Sequence, residues 1–317
     1  IRNYILPLLG NIRLEELSPL IVAELYRDFL QQPRYDGPYH KSCGRTVSLS
    51  VLRDIHKLLH SAFEQAVLWE YISRNPFHRA VLPRMETKPR QFLRPDQISV
   101  LLEQCDNPRL ALAIHLAFAG SLRRGEILAL TWQDVDWKRS AIRINKTLCR
   151  VSQEALRTLG EQNILFEFPP VLKSDKTVLV LKSPKTVSSN RIIYLPEAVM
   201  RLLKEHLNRQ QEEGTADPIM VFQDKDGHPL QDTTLIKYFQ SALQCASLPK
   251  VCFHSLRHSS ITYKLVLSRG DIKSVQGDSG HAQAEMVTEI YSHVLDENRR
   301  KNMLLFEQEF YQNYGTV

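Results

Sequence analysis

Apolar residues recur at helical steps through the first seventy positions of the chain. In 18–30, Ile21, Leu25 and Phe29 fall four apart, which places them on one face of a helix. Ser18 supplies a cap and Pro19 suits the first turn. A longer amphipathic helix is predicted over about 47–70, with Leu52, Ile55, Leu59, Phe63 and Ala66 on its apolar face, ending before Asn75-Pro76. Between these two, residues 32–45 carry prolines and glycines and read as a loop. Residues 1–84 are therefore expected to form an all-helical domain.

The pattern breaks at 83–95, where three prolines and several cations replace the apolar periodicity, and a linker is expected over 85–94. A second domain is expected over 95–317. Its predicted helices lie at about 95–104, 108–119, 123–130, 196–213, 232–246, 255–268 and 284–292. Strand-like stretches occur at Ala141–Thr147, Val178–Leu181 and Arg191–Leu195. Residues 148–177 form an insertion, and Phe166, Phe168 and Pro169-Pro170 suggest an extended hairpin there rather than a helix. The tail, 297–317, carries Leu304, Leu305, Phe306 and Phe310. The fold class is α+β, mostly helical, with a small antiparallel β-sheet in the second domain.

Charge adds a direction. Lys and Arg number 41 against 35 Asp and Glu, giving a net charge of +6 and a pI near 9.0. That balance leans toward a polyanionic partner. The five cysteines (Cys43, Cys105, Cys149, Cys245 and Cys252) are scattered, without CxxC spacing, and read as reduced thiols of a cytoplasmic protein. No run of about 18 apolar residues exists, so no membrane span is expected. The chain begins at Ile1 rather than Met, which points to an N-terminal piece outside this sequence.

Four stretches carry candidate chemistry. In Gly120-Ser-Leu-Arg-Arg-Gly-Glu126, Arg123 sits at a helix junction between packed neighbours, where a fixed guanidinium can grip two phosphate oxygens. A surface arginine paired with Glu126 is the plain alternative, and Arg124 is the expected solvent-facing residue. In Leu181-Lys-Ser-Pro-Lys-Thr-Val-Ser-Ser-Asn-Arg191, Lys185 is expected on a hairpin turn, placed to reach into a minor groove, to protonate a leaving oxygen, or simply as a basic turn residue. In His254-Ser-Leu-Arg-His258, His254, Arg257 and His258 share a helix face. Two histidines four apart can bind zinc, but the zincin pattern needs Glu beside the first and Ser255 stands there. Arg257 and His254 then make a second phosphate clamp, with His258 supporting the helix. In Gly280-His281 through Tyr291-Ser-His293, Gly277 and Gly280 mark a turn, His281 opens a helix, and Tyr291 lies near its far end.

With these motifs in this order, the chain resembles the tyrosine recombinase (phage-type integrase) family. The carriers are SLRRGE at 121–126, PKT…NR at 184–191, HSLRH at 254–258 and GHAQAEMVTEIYSHV at 280–294. The resemblance covers about 92–300, and the helical first domain is similar to the family's core-binding domain. QGDSGHAQAEMV further resembles integrases of conjugative transposons. Two departures stand out. Ala119-Gly120-Ser121 replaces the usual Thr-Gly before the first arginine, and Asp278-Ser279-Gly280-His281 replaces the frequent Leu-Gly-His.

The resemblance implies a site-specific DNA strand transferase with catalytic residues Arg123, Lys185, His254, Arg257, His281 and Tyr291. It implies a 3′-phosphotyrosyl intermediate on Tyr291, with the arginines acting in place of a metal and no cofactor. It also implies double-stranded DNA as substrate, a homo-oligomer (a synaptic tetramer) on paired sites, and an accessory excision or host DNA-bending factor. Its expected place is the bacterial cytoplasm, on the nucleoid. The alternatives are a type IB topoisomerase-like nicking-closing enzyme, a non-catalytic DNA-binding module, and a zinc hydrolase on His254 and His258.

Overall fold

The computed structural model describes residues 1–35, 45–84, 91–159, 163–170, 176–184, 189–214, 218–224, 226–280 and 303–312. The chain divides into two compact units, Ile1–Pro89 and Arg90–Val317. No helix among the described residues is long and apolar enough to cross a membrane.

The first unit is helical: α1 (Ile5–Leu9), α2 (Pro19–Gln31) and α3 (Leu49–Leu68). Ser18 caps α2 by accepting the backbone N–H of Ile21 at 3.3 Å, and Ser48 caps α3 by accepting that of Val51. The core stripe of α2 runs Val22, Leu25, Tyr26 and Phe29, one position off the expected Ile21 at its start. That of α3 runs Leu52, Ile55, Leu59 and Phe63. Phe77, just past α3, is 1% exposed and rests against Phe63 with ring centroids 4.9 Å apart.

The second unit builds its core on α4 (Pro95–Glu103), α5 (Pro108–Ala119), α6 (Arg124–Leu128), α8 (Glu197–Glu212), α9 (Asp232–Cys245) and α10 (Ser255–Leu267). Leu110, Leu112, Ala113, Ile114, Leu116 and Ala117 of α5 are all buried, so this helix is enclosed on most of its circumference. Two antiparallel sheets flank the helices. One has the order β1 (Val135–Asp136), β2 (Ala141–Ile144), β6 (Arg191–Tyr194); the other has the order β3 (Thr147–Ser152), β5 (Thr177–Lys182), β4 (Ile164–Glu167).

Three local expectations change. The strands on either side of Lys185 do not form a hairpin: β5 pairs with β3 and β4, whereas β6 pairs with β2. The segment 183–190 therefore joins two sheets. The insertion is extended at β3 and β4 but carries a helix, α7 (Gln153–Leu159), between them. Gly277 is not at a turn; it lies in α11 (Ile272–Ser279), whose Asp271 side chain caps the N-terminus by accepting the Ser274 N–H at 3.1 Å.

Candidate functional site

Arg123 stands at the N-terminus of α6, held from both sides. Leu122 before it is 1% exposed, and Ser121, in the left-handed region at φ 53°, is fully buried. Three residues on, Glu126 accepts the Arg123 backbone N–H at 2.9 Å and its Nη1 at 2.9 Å. The pairing of Arg123 with Glu126 thus exists, and it orients a guanidinium that stays 36% exposed. Nη2 of Arg123 donates to the carbonyl of Gly280 at 3.0 Å. Arg124 pairs with Asp232 at 3.2 Å and is half-exposed.

Glu126 is itself gripped by Arg191, a residue to which the sequence had assigned no role. Arg191 Nη1 and Nη2 meet Glu126 Oε1 and Oε2 at 3.1 and 2.8 Å, and Nε donates to the Asp278 carbonyl at 2.9 Å. Burial pushes the Glu126 pKa up. The hydrogen bond and charge of Arg191, with help from Arg123, outweigh it and hold the carboxyl below its ordinary value. It is a carboxylate at neutral pH.

Arg257 lies on α10 and is wholly buried. Its Nη1 donates to the Ser121 carbonyl and its Nη2 to the Ser279 carbonyl. Small residues let α10 approach: Ser260 Oγ lies 2.6 Å from Ser121 Oγ. Burial, then the nearby charges of Arg123 and Arg191, push the Arg257 pKa down to about 9, with Glu126 pulling it back. Three guanidiniums around one carboxylate leave this network an excess of two positive charges, which favours an anion.

The turn these arginines hold is specific. Gly280 ends α11 at φ 61°, and its N–H donates to Gln276 O at 2.8 Å. Lys264 anchors the preceding Asp278 at 2.6 Å. Stretches 121–126, 189–191, 254–258 and 278–280 thus converge within one hydrogen-bonded network.

His254 stands exposed at the N-cap position of α10 without a side-chain capping bond, its ring edge-to-face on buried His258 at 4.8 Å and 90°. His258 therefore supports His254 by packing. Lys185, His281 and Tyr291 lie outside the described residues, as does the helix expected at 284–292. The described residues break off at Gly280, one residue before His281, and resume at 303. Of the tail, Met303, Leu304, Leu305 and Phe306 are more than half exposed.

The chain is 27% identical over 286 residues to a tyrosine recombinase XerC-like protein of Caldanaerobacter subterraneus subsp. tengcongensis, covering 85% of this chain and 68% of that one. It is 24% identical to the ICEBs1 integrase of Bacillus subtilis, covering 80% of this chain and 63% of the relative. It therefore spans about two thirds of the length of these curated relatives. Its fold superposes on the Tn1549 transposon integrase, solved in complex with a circular intermediate DNA, with a TM-score of 0.70 at 19% identity, covering 94% of this chain and 88% of that one. The sequence model of the phage integrase family matches residues 91–167 and 169–298, and on that match the chain belongs to the phage integrase family.

Proposed function

We propose that this chain is a site-specific DNA recombinase of the integrase type, which excises and inserts a mobile element through a 3′-phosphotyrosyl intermediate. The observation that carries the reading is the convergence of Arg123 and Arg257 on the 279–280 turn, immediately ahead of His281. Two fixed cations there are placed to neutralise charge building on a pentavalent phosphorus. Preorganised donors of this kind each contribute about 3 kcal/mol to transition-state stabilisation.

In this mechanism Tyr291 Oη attacks the scissile phosphorus and the bond to the 5′-oxygen breaks. A free phenol titrates near ~10, so its proton needs an acceptor, and that role is assigned to His254, exposed at the start of α10. Lys185 donates the proton that the departing 5′-oxygen requires. His281 and His254 hydrogen-bond the non-bridging oxygens. Bond energy stays in the phosphotyrosyl link, so religation to a second strand needs no nucleotide cofactor.

The helical domain over 1–84 and the catalytic domain over 95–317 are both assigned to contact the duplex, with phosphate contacts setting position. The exposed apolar side chains at 303–306 fit a tail that docks on a neighbouring protomer in a synaptic tetramer. The protein would then work on the nucleoid, with an accessory excision or DNA-bending factor.

The test is a suicide-substrate assay: nicked duplex from the cognate element end, protein in EDTA, and a denaturing gel. A covalent protein–DNA band that vanishes in Tyr291→Phe is expected. A band that persists in that variant, or none on a verified bound substrate with full-length protein and accessory factors, overturns the reading.

A further inference from the structure

The first unit carries a cluster of metal-ligand side chains that DNA strand transfer does not use. His60 and Glu64 lie four apart on α3 and therefore share a face. His78 comes from the short turn after α3. Glu64 Oε1 lies 3.8 Å from His60 Nε2 and 3.9 Å from His78 Nδ1. All three donor atoms fall within 4.8 Å of one another. From these residues we propose that the first unit binds one zinc-class divalent ion through His60, Glu64 and His78.

The donor chemistry selects the ion. Two imidazole nitrogens and one carboxylate oxygen are a three-ligand zinc set that leaves a fourth position for water. Such nitrogen-rich sites prefer zinc, copper or nickel to magnesium or calcium, which take oxygen cages. With bonds near ~2.1 Å, donors around a tetrahedral ion stand about 3.4 Å apart. The observed spacings need only small rotations to close. The three side chains are 34%, 46% and 71% exposed, so they have room to rotate and an ion has a way in.

The surroundings are built rather than incidental. Asn75 Nδ2 donates to Glu64 Oε1 at 2.7 Å and to the His60 carbonyl at 3.0 Å, while Asn75 Oδ1 accepts the Phe77 N–H at 2.9 Å. One side chain thus orients the carboxylate ligand and fixes the turn that presents His78. The His60 ring lies between two others, 5.7 Å from His56 and 6.0 Å from His78. His56 is in turn held by the Tyr26 hydroxyl, 2.5 Å from its Nδ1. Buried Phe77 pins the turn from below. An ion here would tie α3 to the 75–78 turn, just ahead of residues 85–90.

The test is isothermal titration of the EDTA-stripped, chelator-free 317-residue chain with zinc chloride, with a reducing agent present. One-to-one binding is expected, together with a zinc-dependent rise in Tm. His78→Ala and Glu64→Gln should each abolish that event while leaving the metal-free Tm within a degree or so, since both side chains are solvent-accessible. Asn75→Ala should weaken it about tenfold, as loss of a group that orients a ligand does. His228→Ala, in the other unit, should change nothing. Absence of binding overturns the proposal, as does an isotherm unaltered by His78→Ala and Glu64→Gln, which would assign the zinc to cysteines or other histidines. The strand-cleavage assay is run in EDTA, so the two proposals fail or stand separately.

Discussion

The guanidinium of Arg191 and the carboxylate of Glu126 form a two-point pair in which each side chain is only 6% exposed. Glu126 spends its remaining acceptor capacity on Arg123. Arg191 thereby positions Arg123 through an intermediary. Arg191→Lys keeps the charge but loses the fork and the bond to the Asp278 carbonyl. We expect it to lower the rate of covalent complex formation by on the order of tenfold or more, while DNA affinity in gel shifts changes little. An unchanged cleavage rate would show that Arg123 finds its place without the pair.

Glu126 links the network to acid stability. Its folded-state pKa lies below the unfolded value, so its contribution is complete above about pH 4.3 and is lost as pH falls through the folded-state value. Glu126→Gln should cost on the order of 3–5 kcal/mol at neutral pH, because it strips a partner from buried Arg191. The deficit should shrink as the medium is acidified. Urea unfolding between pH 7 and the acid limit checks both the size and the trend.

Gly280 gives a steric test. It adopts φ 61°, and a Cβ there would stand 3.0 Å from Arg191 Cζ and Nη1. Gly280→Ala therefore adds about 1 kcal/mol of left-handed strain and pushes the guanidinium from its seat. A lower Tm and slower cleavage are expected together. A Tm equal to that of the parent would mean the turn relaxes freely.

The two histidines of α10 should separate. His254 is exposed and His258 is buried beneath it. His254→Ala should reduce cleavage on the order of 10²-fold with Tm kept, as expected for loss of a proton-transfer group. His258→Ala should lower Tm by removing a packed ring. The same Tm loss in both would place His254 among the structural residues.

The helices of the first unit were legible where burial is one-sided. Leu52, Ile55, Leu59 and Phe63 recur so regularly that α3 follows from spacing alone. The site arginines Arg123 and Arg257 were legible from motif, but their partners are carbonyl oxygens, and sequence does not show which carbonyls a fold brings near. Arg191, quoted only as the end of the PKT…NR stretch, was given no role for that reason: it sits in a strand, and its partner Glu126 is 65 positions away. The one hint was a cation at a position where β6 alternates inward, since the burial pattern from Arg191 to Tyr194 is in-out-in-out. Helix α11 was hidden because Gly277, Asp278 and Ser279 mimic a turn and only Val275 and Ser279 are buried. Helix α7 was hidden by the aromatic and proline residues that follow it, which speak for strand and not for the preceding turn.

Arg257 gives one N–H of each terminal nitrogen to a main-chain oxygen, of Ser121 and of Ser279, and reaches no solvent. A phosphate that reaches this buried guanidinium gains an ionic hydrogen bond, roughly twice as strong as a neutral one. Water offers no such gain. Burial thus acts as a filter: the second cation is offered to an anion seated deep in the site and not to the solvent. A protein that cuts DNA by design would thus be kept from nicking strands it merely brushes against.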